Sequence, residues 1–172
     1  MPLKFFKLLY PHKHLNSIYE LDTAELRSMG IRGIIADMDN TLVPWNDRAV
    51  RPRLASWLAG LKKEGFRLCI VSNNSRERGG QLACELGIPA VWYAVKPRRR
   101  AFRRALHIME LTSQETAVIG DQIFTDVLGG NRLGLYTILV TPISDKEFIW
   151  TRLIRKLERM VLRCLERSRQ HQ

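Results

Sequence analysis

Short apolar runs recur along this chain, and between them the apolar positions switch to helical spacing. Ile34-Ile35-Ala36 follows Gly30 and Gly33, and such a run reads as a strand buried on both faces of a parallel sheet. Later runs predict strands over Phe66 to Val71, Ala90 to Val95, Thr116 to Ile119 and Tyr136 to Val140. Between them, Leu54, Trp57, Leu58 and Leu61 recur at helical spacing within Arg51 to Glu64, with Pro52 at the start and Gly65 as the stop. Further helices are expected over Arg76 to Leu86, over Arg98 to Leu111, and from Asp126 to Gly134. Upstream, Asp22 is placed to cap a short helix, Thr23 to Met29, that Gly30 ends. Strand and helix alternate five times, the pattern of an α/β fold: a doubly wound, Rossmann-like parallel sheet of about five strands.

The two ends do not follow this alternation. Residues 3 to 10 are apolar with Lys4 and Lys7 interspersed, a segment suited either to capping the core or to lying on a membrane surface. His12 and His14 read as exposed turn residues. From Asp145 onward Ile149, Leu153, Leu157, Met160 and Cys164 share one side of a helical wheel, with Arg152, Arg155, Arg159 and Arg163 opposite. A basic amphipathic helix over 145–167 is expected, packed on the core or lying in a lipid interface.

At 172 residues the chain is expected to form a single domain, with its core at about 31–142. That length suffices to bury ~70% of the surface exposed on unfolding. Cys69, Cys84 and Cys164 form no C-x-x-C pair; they read as packing residues in a reducing, cytoplasmic compartment. No apolar run approaches the ~20 residues of a membrane span. The net charge of +11 is concentrated: +3 in residues 1 to 14, +6 in 96 to 104 and +4 in 145 to 172, leaving the remainder near neutral. Such a basic periphery suits an anionic partner, nucleic acid or acidic lipid, when it is not simply a solvated surface.

Chemistry gathers where the runs end. Asp37 and Asp39 follow the first strand and leave it on the same side, at the carboxyl edge where open α/β sheets bind ligands. Ser72, Lys96, Asp121 and Asp126 follow later runs to that same edge. Each has a plainer reading: Ser72 as the start of a turn, Lys96 before Pro97 as surface charge, Asp126 as a helix cap. Together they supply a nucleophile, an anion clamp and a metal site, the components of phosphoryl transfer. Asp37 could attack phosphorus without a separate base, and Asp39 could exchange protons with the leaving alkoxide and then with water. Lys96 and Ser72 would hold the phosphoryl oxygens. The carboxylates suit a hard, oxygen-ligated ion, with Mg²⁺ the natural candidate.

Asp37-Met38-Asp39-Asn40-Thr41, Ser72, Lys96, and Gly120-Asp121 through Thr125-Asp126 resemble the four motifs of the haloacid-dehalogenase (HAD) superfamily of Asp-nucleophile phosphatases. The resemblance implies catalytic Asp37 and Asp39, phosphate binding by Thr41, Ser72, Asn73 and Lys96, and a metal held by Asp37, Asp39, Asp121 and Asp126. An Asp at position 39 is what phosphatases of the superfamily carry. Only 30 residues separate Thr41 from Ser72 and 23 separate Ser72 from Lys96, too few to add a cap domain to the core elements already there. A capless site favours a phosphate displayed on something large.

More closely, Ser17 to Glu20, Gly33 to Asp37, Asn40 to Val43 and Trp45 are similar to the bacterial YqeG family, related to phosphatidylglycerophosphate phosphatases. That likeness implies an anionic phospholipid head group as substrate and peripheral contact of the basic ends with the inner face of the cell membrane. Two rivals remain open at this point. One keeps the chemistry on a soluble phosphomonoester or a nucleic-acid end. The other is a basic nucleic-acid-binding module with a vestigial site, against which stands a run at 96 to 104 whose only aromatic is Phe102.

Overall fold

The computed structural model describes residues 6–45, 47 and 49–144. Its centre is a parallel sheet of six strands: β1 (Lys13–Leu15), β2 (Gly33–Ala36), β3 (Arg67–Val71), β4 (Ala90–Val91), β5 (Thr116–Gly120) and β6 (Tyr136–Val140). The strand order is β1-β6-β5-β2-β3-β4. The chain therefore runs outward from β2 through β3 to β4, returns to β5 on the other side of β2, and continues to β6. Its direction reverses between β2 and β5, which is where a doubly wound sheet leaves a crevice.

Helices α1 (Thr23–Ser28), α2 (Pro52–Lys63), α3 (Arg76–Glu85), α4 (Arg99–Met109) and α5 (Leu128–Asn131) join the strands. The period-two alternation of the strands sorts the core into two layers. Ile34, Ala36, Leu68 and Ile70 pack with Leu54, Leu58, Leu61 and Leu82 of α2 and α3. Ile35, Cys69, Val71 and Val118 point the other way, onto Ala101, Phe102, Ala105 and Met109 of α4. Phe102 is wholly buried, and truncating such a ring typically costs ~3–5 kcal/mol.

Several expectations are corrected. A sixth strand exists, because Lys13–Leu15 pairs with Ile138–Val140 at the sheet edge. Only Leu15 of the three is buried, so the segment carries no apolar run to reveal it. His14, expected in a turn, is an exposed residue of β1, whereas His12 is exposed in the bend before it, as expected, and its Nδ1 accepts from the Thr137 amide at 3.1 Å. The run Ala90 to Val95 is a strand only at Ala90–Val91. Beyond it Tyr93 and Val95 take left-handed backbone, with φ of 51° each, and both side chains are exposed.

Asp126 does not open a helix; it lies inside a π-helical turn, Ile123–Val127, capped by Gln122. Cys69 is buried as a packing residue, whereas Cys84 is exposed. From Leu8 the N-terminal segment caps the core, with Leu9 packed against Ile123, Val127, Leu128 and Leu139. Asn131 Nδ2 holds it there by donating to the Leu8 and Tyr10 carbonyls, each at 2.8 Å. The amphipathic helix expected over 145–167 and Cys164 lie outside the described residues. Among those described, no helix is long and apolar enough to cross a membrane.

Candidate active site

Every functional side chain anticipated from the motifs sits at or just beyond the carboxyl ends of the strands, but they divide into distinct tasks. The Asp37 amide donates to the Ile119 carbonyl at 2.9 Å, continuing the β2–β5 pairing one residue past the strand. The chain then turns sharply. The Leu42 and Val43 amides donate back to the Met38 carbonyl at 3.0 and 3.1 Å, and Asn40 takes left-handed backbone at φ 56°. Asn is among the residues that tolerate this conformation, and its Oδ1 accepts from the Trp45 amide at 3.2 Å. The turn brings both Asp37 and Asp39 to line an open cavity of roughly 100 Å³, with Trp45, Ser72, Asn73, Asn74 and Lys96 among its walls.

Asp37, Asp121 and Asp126 form the acidic centre. Each is buried, and one carboxylate oxygen from each lies within 4.8 Å of the others. Lys96 reaches into them, its Nζ 2.7 Å from Asp37 Oδ1 and 2.7 Å from Asp126 Oδ1. The position of Asp126 depends on Gly120, because a Cβ there would clash with the Asp126 side chain, 2.3 Å from its Cγ and Oδ2. The π-helical turn supplies the rest, letting the Gln122 amide donate to Asp126 Oδ2 at 3.2 Å.

The electrostatics follow from three carboxylates buried with one ammonium, which pairs with two of them. Burial pushes the Asp37 carboxyl well above the usual range; Lys96 pulls it down, while Asp126 and Asp121 push it up again. Burial disfavours the charge on Lys96, yet Asp126 and Asp37 outweigh it and raise the ammonium above its ordinary value. The surplus negative charge and all-oxygen donor set suit a hard divalent cation, so the triad can hold a metal ion.

Asp39 stands apart from this triad. Its Oδ1 accepts from Arg78 Nε at 3.1 Å and Nη2 at 2.5 Å, and its Oδ2 accepts from Asn74 Nδ2. The metal role expected for Asp39 is thus not met by its side chain. Thr41 and Asn73, expected on the phosphate, have other work. Thr41 is buried and its Oγ1 donates to Asp121 Oδ1 at 3.4 Å, while Asn73 Oδ1 accepts from the Lys96 amide at 2.7 Å. Asn73 still lines the cavity and Thr41 does not. Ser72 Oγ accepts from the Asn74 amide at 3.1 Å and faces the cavity with its hydroxyl hydrogen free to donate elsewhere.

Arg78 is the residue the motifs do not reveal. It lies in the first turn of α3, its guanidinium 4.7 Å from the centre of the Trp45 ring, and its Nη2 also donates to the Trp45 carbonyl. A first-turn residue of the helix after β3, the strand beside β2, is a signal of proximity. Its partner could not be read, since Trp45 and Arg78 are 33 residues apart.

Comparison with known proteins agrees with this architecture. The "Mitochondrial PGP phosphatase" family model matches residues 3–86, and a HAD-hydrolase-like model matches residues 93–145. The chain is 42% identical to the "probable phosphatase YqeG" of Bacillus subtilis over 94% of both chains. It is 29% identical to the chloroplastic and mitochondrial phosphatidylglycerophosphate phosphatase 1 of Arabidopsis thaliana, over 94% of this chain and 48% of the relative. For the chloroplastic enzyme of Chlamydomonas reinhardtii the figures are 30%, 80% and 54%, so the chain spans about half the length of these two relatives.

Among solved structures, the cobalt-bound deoxy-D-mannose-octulosonate 8-phosphate phosphatase of Haemophilus influenzae superposes with a TM-score of 0.52 at 16% identity, covering 78% of this chain and 89% of its own. That likeness supports the fold alone. With near end-to-end similarity to YqeG, and with the carboxylates and lysine of the HAD motifs meeting at one sheet edge, the chain belongs to the YqeG family of HAD-type phosphatases and is a phosphoric monoester hydrolase.

Proposed function

We propose that the chain hydrolyses phosphatidylglycerophosphate to phosphatidylglycerol in two steps through an aspartyl phosphate on Asp37. The observation that carries the chemistry is the gathering of Asp37, Asp121 and Asp126, with one oxygen of each within 4.8 Å of the others, and Lys96 Nζ 2.7 Å from both Asp37 and Asp126. An Asp37 oxygen attacks phosphorus, the ester P–O bond breaks, and Asp39 delivers a proton to the departing glycerol oxygen. Water then attacks the same phosphorus, Asp39 takes its proton, and inorganic phosphate leaves as Asp37 is regenerated. Lys96 offsets the carboxylate charge around the nucleophile, and Ser72 donates to a phosphoryl oxygen. A Mg²⁺ ion held by Asp37, Asp121 and Asp126 would neutralise charge on the phosphoryl group during both transfers.

Two features favour a lipid over a small soluble ester. Among the described residues the intervals 42–71 and 73–95 hold only α2, β3, α3 and β4, so neither interval supplies a cap domain to enclose a small substrate. The family model and the plant and algal relatives carry the phosphatidylglycerophosphate name.

The test is phosphate release from phosphatidylglycerophosphate in mixed micelles, beside a panel of soluble phosphomonoesters. Release from the lipid at a kcat/KM well above that of every soluble ester is expected, with Asp37→Asn reducing it by about 10³-fold or more. Preference for a soluble ester would sink the lipid assignment, and activity surviving Asp37→Asn would sink the nucleophile.

A further inference from the structure

The basic run beside the site is separate from the catalytic machinery, and its setting gives it a use. Arg98, Arg99, Arg100, Arg103 and Arg104 are all exposed, because the opposite stripe of α4, Ala101, Phe102, Ala105 and Met109, is buried against the sheet. None of the five makes an ion pair with another described residue. Like charges held this closely repel one another, and no described acidic side chain relieves them. Immediately before them the chain presents two apolar side chains to solvent: Tyr93 is 62% exposed and Val95 54%.

These side chains are held out by the backbone. Tyr93 and Val95 both have φ of 51°, a conformation that costs a bulky or β-branched residue energy. The Tyr93 amide donates to the Asn74 carbonyl at 3.0 Å and the Ala94 amide to the Ser72 carbonyl at 3.1 Å, tying the loop to two cavity residues. Tyr93 also rests its hydroxyl on Glu77 Oε2 at 3.1 Å. Apolar projections and arginines with no described acidic partner thus lie on either side of Lys96, in one segment tied to the cavity wall.

We propose that this segment, from Tyr93 to Arg104, is the surface by which the enzyme docks on an anionic lipid bilayer, rather than the chain ends alone. Arginines meet the head groups while Tyr93 and Val95 enter the interface, where an amphipathic ring and a short aliphatic group are both at home. A polynucleotide would be served by the charges but offered one aromatic face, already committed by its hydroxyl to Glu77. The assignment rests on the reading that the substrate is a lipid, and it adds how the cavity is brought against the bilayer.

The experiment uses the full chain and flotation with vesicles of phosphatidylglycerol and phosphatidylcholine, compared with phosphatidylcholine alone. Two variants are made: R98Q/R99Q/R103Q/R104Q, and Tyr93→Asn/Val95→Asn, in which Asn suits the left-handed backbone. Binding to anionic vesicles alone is expected for the wild type. The first variant loses about fivefold in partition per arginine and the second about tenfold, with turnover of p-nitrophenyl phosphate unchanged in both.

Wild-type partition by either variant overturns the docking surface. Wild-type chain that ignores vesicles but binds single-stranded RNA in the same salt, with the first variant losing that binding, also overturns it and assigns the arginines to nucleic acid. Vesicle binding that depends on this segment without hydrolysis of phosphatidylglycerophosphate keeps the surface and discards the substrate.

Discussion

Arg78 shows how much a single side chain can depend on contacts far away in sequence. It grips Asp39 through two nitrogens, stacks on Trp45 and bonds that residue's carbonyl, so the carboxylate proposed to handle protons, the loop after it and α3 are joined at one guanidinium. Arg78→Gln removes the paired bonds and the stacking together. Because Asp39 is proposed to act only as bonds to phosphorus break and form, kcat for p-nitrophenyl phosphate should fall about 10²-fold with little change in KM. Arg78→Lys, which keeps the charge but not the planar fork, should recover only part of the loss. Steady-state kinetics on the three proteins checks this, and equal losses in KM and kcat would instead place Arg78 on the substrate.

At the scale of elements, the junction from β5 into the π-helical turn decides whether the acidic centre exists. Gly120 ends β5 and Asp126 folds back over it, close enough that no side chain fits between them. The wider π turn, buttressed by Leu9 against Ile123 and Val127, is what turns Asp126 inward instead of leaving it as a cap. Gly120→Ala should therefore displace Asp126 from Lys96, lowering stability by ~1–3 kcal/mol and activity far more than that loss implies. Thermal melting beside phosphate-release assays tests it. Melting like wild type with full activity would show that the turn can shift at no cost.

The motif glycine is visible in the sequence. The reason only glycine fits is not, because the collision is with a residue placed by the following turn.

Across the whole molecule, the acidic centre works against the fold when it holds no cation. Asp37, Asp121 and Asp126 are buried together with the single ammonium of Lys96, which leaves an excess of negative charge beyond the carboxyl ends of the neighbouring strands β2 and β5. Adding Mg²⁺ at about a hundred times its dissociation constant should stabilise the chain by about 2.7 kcal/mol, and chelation should remove that gain. Differential scanning calorimetry reads the shift without reference to activity. In Asp121→Asn the shift should shrink or vanish, whereas an undiminished shift would place the ion elsewhere.

The alternation of apolar runs with helical spacing was enough to determine the α/β class, the parallel sheet and the edge where Asp37, Ser72, Lys96 and Asp121 emerge, because periodicity and strand direction are local properties. Only the tertiary structure could decide that β1 joins the sheet, that Asp39 turns to Arg78 rather than to the triad, and that Tyr93 and Val95 face solvent instead of extending β4. Each of those outcomes rests on a hydrogen bond, charge or close contact between segments remote in sequence. Such partners leave no periodic trace in the residues they bring together.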